Sequence, residues 1–166
     1  MEKEGEAFTK QFVAKPGCSE HETGLAIDLA RAARNIDFIR PHLPYDGACG
    51  RFRALAAKYG FIQRYRAEKT AVTGIACEPW HFRYVGAPHA QLIEQNGLCL
   101  EEYAAFLREM GPQQCRLAGG RAAQVLYVPC ENGHARLPGG CVQVSGDNAG
   151  GFIATVWQAG ARRCGA

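Results

Sequence analysis

The sequence predicts an α+β chain that ends in a small all-β module, and three observations carry that expectation. Residues Gly24 to Leu29 alternate with period two, setting Leu25, Ile27 and Leu29 on one side and Ala26 and Asp28 on the other. Arg51 to Tyr59 has helical spacing, with Phe52, Leu55, Ala56 and Tyr59 on one face and Gly60 as the stop. After Gly111 the composition turns to Gly, Pro and short β-rich runs, QVLYVP, CVQVSG and FIATVW, separated by turn residues.

Taken in chain order, Glu2 to Val13 reads as a helix with Phe8 and Phe12 four apart, closed by Pro16 and Gly17. A loop leads to the strand at Gly24 to Leu29, which carries the Asp28 carboxylate opposite its apolar face. Pro41, Pro44 and Gly47 make the stretch from Ala30 to Gly50 a long loop. After the helix at Arg51 to Tyr59, strands are expected at Phe61 to Tyr65 and Gly74 to Tyr84. Two further helices follow, Pro88 to Gln95 before Gly97 and Leu100 to Met110 before Gly111. The compositional shift places a boundary between Gly111 and Leu117, giving a domain over 1–112 and a β module over 117–166.

Apolar residues make up 47% of the 166 and charged residues 21%, the balance of a folded globular chain rather than a disordered one. A net charge of +3, scattered except for Arg162-Arg163, argues against nucleic-acid binding. No apolar run approaches the roughly 20 residues of a membrane span. The start MEKEGEAF lacks the basic-then-apolar order of a signal peptide, so the expected location is cytoplasmic. The eight cysteines (18, 49, 77, 99, 115, 130, 141 and 164) sit singly, with no CxxC pair. They read as reduced, mostly buried thiols, a disulfide in the last fifty residues being the alternative.

Two segments concentrate chemistry: SEHETGLAID, from Ser19 to Asp28, and EPWH, from Glu78 to His81. Together they offer two imidazoles and two carboxylates. A catalytic zinc takes three nitrogen or oxygen ligands from the protein and keeps a position for water, a set that His21, Asp28 and His81 can supply. Glu78 is then free to act as general base. Pro79 disfavours helix at Glu78, so an extended or turning backbone must bring Glu78 and His81 together, unlike a helical HExxH. Taken singly, each of these residues serves as readily as a hydrogen-bonded structural group, and the spacing by itself leaves both readings open.

The segments TKQFVAKPGCSEHETGLAIDL, YGFIQRY and TGIACEPWHFRYVGAPHA resemble the D-alanyl-D-alanine carboxypeptidases and dipeptidases of the VanY and VanXY type. The patterns SxHxxGxAxD and ExWH are complete and in order, and the likeness runs from about Gly5 to Met110. It implies an antiparallel sheet of the Hedgehog and D,D-peptidase kind bearing a Zn²⁺ ion, with helices on one side. It also implies His21, Asp28 and His81 as zinc ligands, Glu78 as catalytic base, and hydrolysis of a terminal D-Ala-D-Ala peptide bond in bacterial wall precursors. Ser19 matches a residue lining the substrate site. Trp80 is expected to position His81 and wall the pocket, with plain packing as the alternative, and Arg83 to form a structural ion pair. His42 and His89 are expected to be exposed or capping, His134 lies outside the likeness, and Cys18 is not a ligand.

Members of that family also carry an upstream strand and helix with a YR and Gln pattern, including an arginine for the substrate carboxylate. This chain begins inside that helix, so the expectation is a domain without that anchor. A catalytically weak or silent zinc-binding or wall-binding protein is the competing reading, and a thiol protein built on the cysteines a third. The run SGDNAGGFIATVW resembles β appendages on some bacterial members without an assigned role.

Overall fold

The computed structural model describes Gly17 and residues 19–158, which divide into two compact units, one ending at Gly86 and one beginning at Ala87. The helix expected at Glu2 to Val13 lies outside the described residues. The division falls some 25 residues before the compositional shift. Helices α3 (Ala87–Gln95) and α4 (Leu100–Met110) belong with the later strands, and α4 packs against the strand Ala122–Pro129.

In the first unit a three-stranded antiparallel sheet has the order β1-β3-β2, where β1 is Ala26–Asp28, β2 is Phe61–Tyr65 and β3 is Glu78–Tyr84. Helix α1 spans Gly47–Ala56, and its last turn tightens to a 3₁₀ turn at Ala57–Tyr59. Gly60 closes it at φ 90°, a conformation open to glycine because no Cβ meets the following carbonyl. A short helix, α2 (Thr70–Thr73), ends at Gly74, where the sequence suggested a strand would start, and the strand itself begins only at Glu78. Leu43, Ala56, Trp80 and Phe82 form the core of this unit, with Leu29, Phe52 and Phe61 packed around them. Phe52 meets Phe82 edge to face at 4.9 Å between ring centres.

The alternation read in Leu25 to Leu29 holds for pairing: Ile27 lies opposite Phe82 and Asp28 opposite His81. Burial does not follow it. Leu25 and Ile27 stay 40% and 38% exposed while Ala26, on the Asp28 side, is buried. Among the described residues β1 is paired on one side only, and the core centres on β3.

The second unit is a four-stranded antiparallel sheet, β4-β5-β7-β6, with β4 Gln113–Arg116, β5 Ala122–Pro129, β6 Cys141–Gly146 and β7 Gly151–Trp157. Three of these strands match the predicted runs, and β4 is an addition. The two helices bury Ala90, Leu92, Ile93, Tyr103 and Leu107 in this unit, and the sheet buries Ala123, Val125, Val128 and Ala154. Cys49, Cys77, Cys99, Cys115 and Cys130 are free thiols; Cys99 and Cys115 are buried, whereas Cys49, Cys77 and Cys130 are half-buried, so among the described residues the expectation of mostly buried thiols holds for two of the five.

His89 corrects the expectation of an exposed or capping residue. Its Nδ1 lies 2.9 Å from the Tyr103 hydroxyl and its Nε2 3.0 Å from the Thr155 hydroxyl, and burial pushes its imidazole down to about 4. The unfolded chain protonates this residue near 6.5 and the folded chain only near 4, so between those values the unfolded state binds more protons. Stability held above pH 6.5 is therefore lost as the pH falls towards 4, by on the order of 3 kcal/mol. Urea unfolding across this range should show a steeper loss for the natural protein than for His89→Gln, and parallel profiles would remove His89 from the account.

Candidate metal centre

Gly24, at φ 70°, ends a 3₁₀ turn over Glu20–Thr23 that precedes β1. That turn sets His21 beside the strand carrying Asp28. The antiparallel register then places Asp28 directly opposite His81 on β3, so their side chains rise from the same side of the sheet. His21 Nε2 lies 3.5 Å from one Asp28 oxygen and His81 Nδ1 3.2 Å from the other. One donor atom from each of the three residues falls within 4.8 Å of the other two. The side chains of His21 and Asp28 remain 41% and 34% exposed and that of His81 only 6%, so the cluster is rooted in the sheet and opens to solvent on one side.

Glu78 reaches the same place by a backbone irregularity. In a regular strand, residues three apart point to opposite faces. Here Gln63 pairs with Phe82 but Tyr65 pairs with Glu78, so the ladder slips across Pro79, Trp80 and His81. Pro79 has no N–H to lose from the ladder. The buried Glu78 carboxylate comes to 3.3 Å from His81 Nδ1. Arg53 ties this segment down, donating to the Pro79 and Leu43 carbonyls at 2.7 and 2.8 Å and to the Gln63 side chain at 2.8 Å.

Sequence reading missed Glu20. One of its oxygens lies 2.7 Å from His81 Nε2, and the other accepts from Arg64 Nε at 3.2 Å and Arg83 Nη1 at 2.9 Å. Burial alone would raise the Glu20 carboxyl, but the His81 hydrogen bond and the charges of Arg64, His81 and Arg83 hold it near 2. Burial alone would lower His81, yet its hydrogen bonds to Asp28, Glu20 and Glu78 and the charge of Glu20 lift it to about 10. Three carboxylates thus surround one imidazole, an arrangement that favours a cation. Arg83 makes the ion pair expected of it.

Trp80 is 8% exposed and packs in the core with Leu43, Ala56 and Phe82. The ring beside His81 is instead Tyr65, at 5.0 Å between centres, with His21 at 4.7 Å. Ser19 is half-buried at the head of the 3₁₀ turn, where its carbonyl accepts from Glu22 N–H. His42 is exposed, His134 belongs to a tight turn with Glu131 in the second unit, and Cys18 lies outside the described residues. Two imidazoles and a carboxylate, converging with a solvent-facing side, fit the donor set of a hydrolytic zinc, and no other such group occurs among the described residues.

The model of the VanY family, D-alanyl-D-alanine carboxypeptidase, matches residues 1–87. The bifunctional D-Ala-D-Ala dipeptidase and carboxypeptidase VanXYC of Enterococcus gallinarum is 48% identical over 110 residues, 66% of this chain and 58% of that protein. A D-alanyl-D-alanine carboxypeptidase of Enterococcus faecium is 33% identical over 148 residues, 89% of this chain and 46% of the relative. The crystal structure of the vancomycin resistance D,D-dipeptidase VanXYg, in complex with a D-Ala-D-Ala phosphinate analogue, superposes with a TM-score of 0.84 at 45% identity. That match takes in 93% of this chain and 64% of the other, so the likeness extends well into the second unit. The chain spans about half the length of the two relatives. With both motifs intact and their residues gathered at one place, the chain belongs to the VanY D-alanyl-D-alanine carboxypeptidase family.

Proposed function

We propose that this protein is a zinc peptidase that hydrolyses the terminal bond of D-Ala-D-Ala-ended peptides or of the dipeptide itself. The observation that carries the reading is the buried Glu78 carboxylate 3.3 Å from the Nδ1 of a ligand in the His21, Asp28 and His81 cluster. When bound, zinc supplies a Lewis acid for the scissile carbonyl and for water. His21, Asp28 and His81 would hold the ion, and the hydrogen bond between His81 Nε2 and Glu20 fixes the ring. Glu78 takes a proton from the attacking water and passes it to the leaving D-alanine amine, acting first as general base and then as general acid. Its place on a sheet strand, held by Arg53 through Pro79, keeps that carboxylate still between the two transfers. Ser19, at the rim of the same turn, lines the approach of substrate, and Trp80 supports His81 from the core side of β3.

The test is D-alanine release by the zinc-loaded protein from D-Ala-D-Ala and from a pentapeptide ending in it. Release that requires zinc supports the reading. A fully zinc-loaded, folded protein that releases no D-alanine from either would favour the silent zinc-binding alternative.

A further inference from the structure

His81 turns its two nitrogens in opposite directions, Nδ1 towards Asp28 and Glu78 and Nε2 towards Glu20. The polarity of the second contact follows from what lies behind it. Arg64 and Arg83 both donate to Oε2 of Glu20, and a guanidinium has donors only. An ionised carboxylate held by two cations has no proton to give, so its Oε1, 2.7 Å from Nε2, accepts a hydrogen from the imidazole. The proton is thereby kept on Nε2, and the lone pair for a metal is on Nδ1.

We propose that Glu20 is a positioning residue that fixes the Nε2–H form of His81 and so selects Nδ1 as the metal-binding nitrogen; this rests on the zinc site proposed above. The geometry separates the role from that of a plain tether between the 3₁₀ turn and β3. A tether is largely preserved by glutamine, which has nearly the same shape and still forms hydrogen bonds. Tautomer control is inverted by it. With two guanidiniums on one side, the amide introduced by Glu20→Gln must turn its carbonyl to the arginines and its NH₂ to His81. That NH₂ donates to Nε2 and favours a proton on Nδ1, where the metal has to bind. Loss of a partner behind a metal-bound histidine weakens metal binding roughly 10-fold to 100-fold.

Zinc affinity measured by chelator competition on the whole chain tests this, with Glu20→Ala and Glu20→Gln compared and the fold of each checked by circular dichroism. Glu20→Gln is expected to weaken zinc at least as much as Glu20→Ala. Glutamine at natural affinity beside a weakened alanine variant would overturn the proposal in favour of a tether. Nitrogen-15 imidazole shifts of the unaltered zinc-loaded protein give a reading that needs no variant to fold. They should show His81 metallated at Nδ1 and protonated at Nε2, and zinc on Nε2 would overturn the proposal while leaving the zinc site intact. Natural protein that takes up no stoichiometric zinc would overturn both.

Discussion

Glu78→Ala should keep one zinc per chain and lose roughly 10²-fold to 10⁴-fold in D-alanine release, the contribution of a positioned general base. The metal is expected to stay because His21, Asp28 and His81 supply its donors without Glu78. Glu20 also remains to hold the His81 ring through Nε2, at 2.7 Å. The rate is expected to fall because neither of the other carboxylates around His81 can replace the base, Glu20 being engaged by two arginines and Asp28 being a ligand. Metal content and turnover measured on the same sample decide the matter. Loss of zinc would place Glu78 among the ligands, and unchanged release would remove it from the mechanism.

Removing a ligand should abolish stoichiometric zinc altogether, and the two histidines are expected to differ in what else they cost. The His81 side chain is 6% exposed, and three carboxylates converge on it. His81→Ala strands buried negative charge, which typically costs on the order of 3–5 kcal/mol. Part of that protein should fail to fold. The His21 side chain is 41% exposed and faces solvent, so His21→Ala should fold and still lose the ion. Metal analysis of folded His21→Ala protein is the cleaner measurement. One equivalent of zinc retained there would show the ligand set to be wrong.

The metal cluster was legible through the family resemblance of two short segments, since their spacing alone left a structural reading of each residue open. Glu20 stood inside one of those segments, yet its role depends on Arg64 and on a histidine 61 residues away, a pairing that only the folded sheet creates. Adjacency along the chain left Trp80 with two readings, positioning His81 or plain packing, and the side chain packs in the core with Leu43, Ala56 and Phe82. Cross-strand neighbours decide contacts in a sheet, and there the place beside His81 goes to Tyr65. Strand β4 escaped notice because Gln113, Gln114, Cys115 and Arg116 carry no apolar alternation, and only Cys115 is buried. It exists through its ladder to β5. The unit boundary was displaced because composition records the onset of β-rich runs, whereas α3 and α4 are assigned by the surface they bury.

The slip in β3 makes the distance between base and ligand a property of two strands rather than of one motif. On a helix, residues three apart share a face wherever the motif is placed, so the spacing travels with the sequence. On a sheet it works only at the point where the ladder loses step, and that point is set by which residues of β2 stand opposite. Gln63 and Tyr65 mark its two ends, and Arg53 grips both the Gln63 side chain and the Pro79 carbonyl. A one-residue insertion or deletion in β2 would thus re-aim the Glu78 carboxylate with every residue of EPWH unchanged. Phe61 to Tyr65, a strand that supplies neither a metal donor nor the base, acts as the ruler against which Glu78 and His81 are spaced.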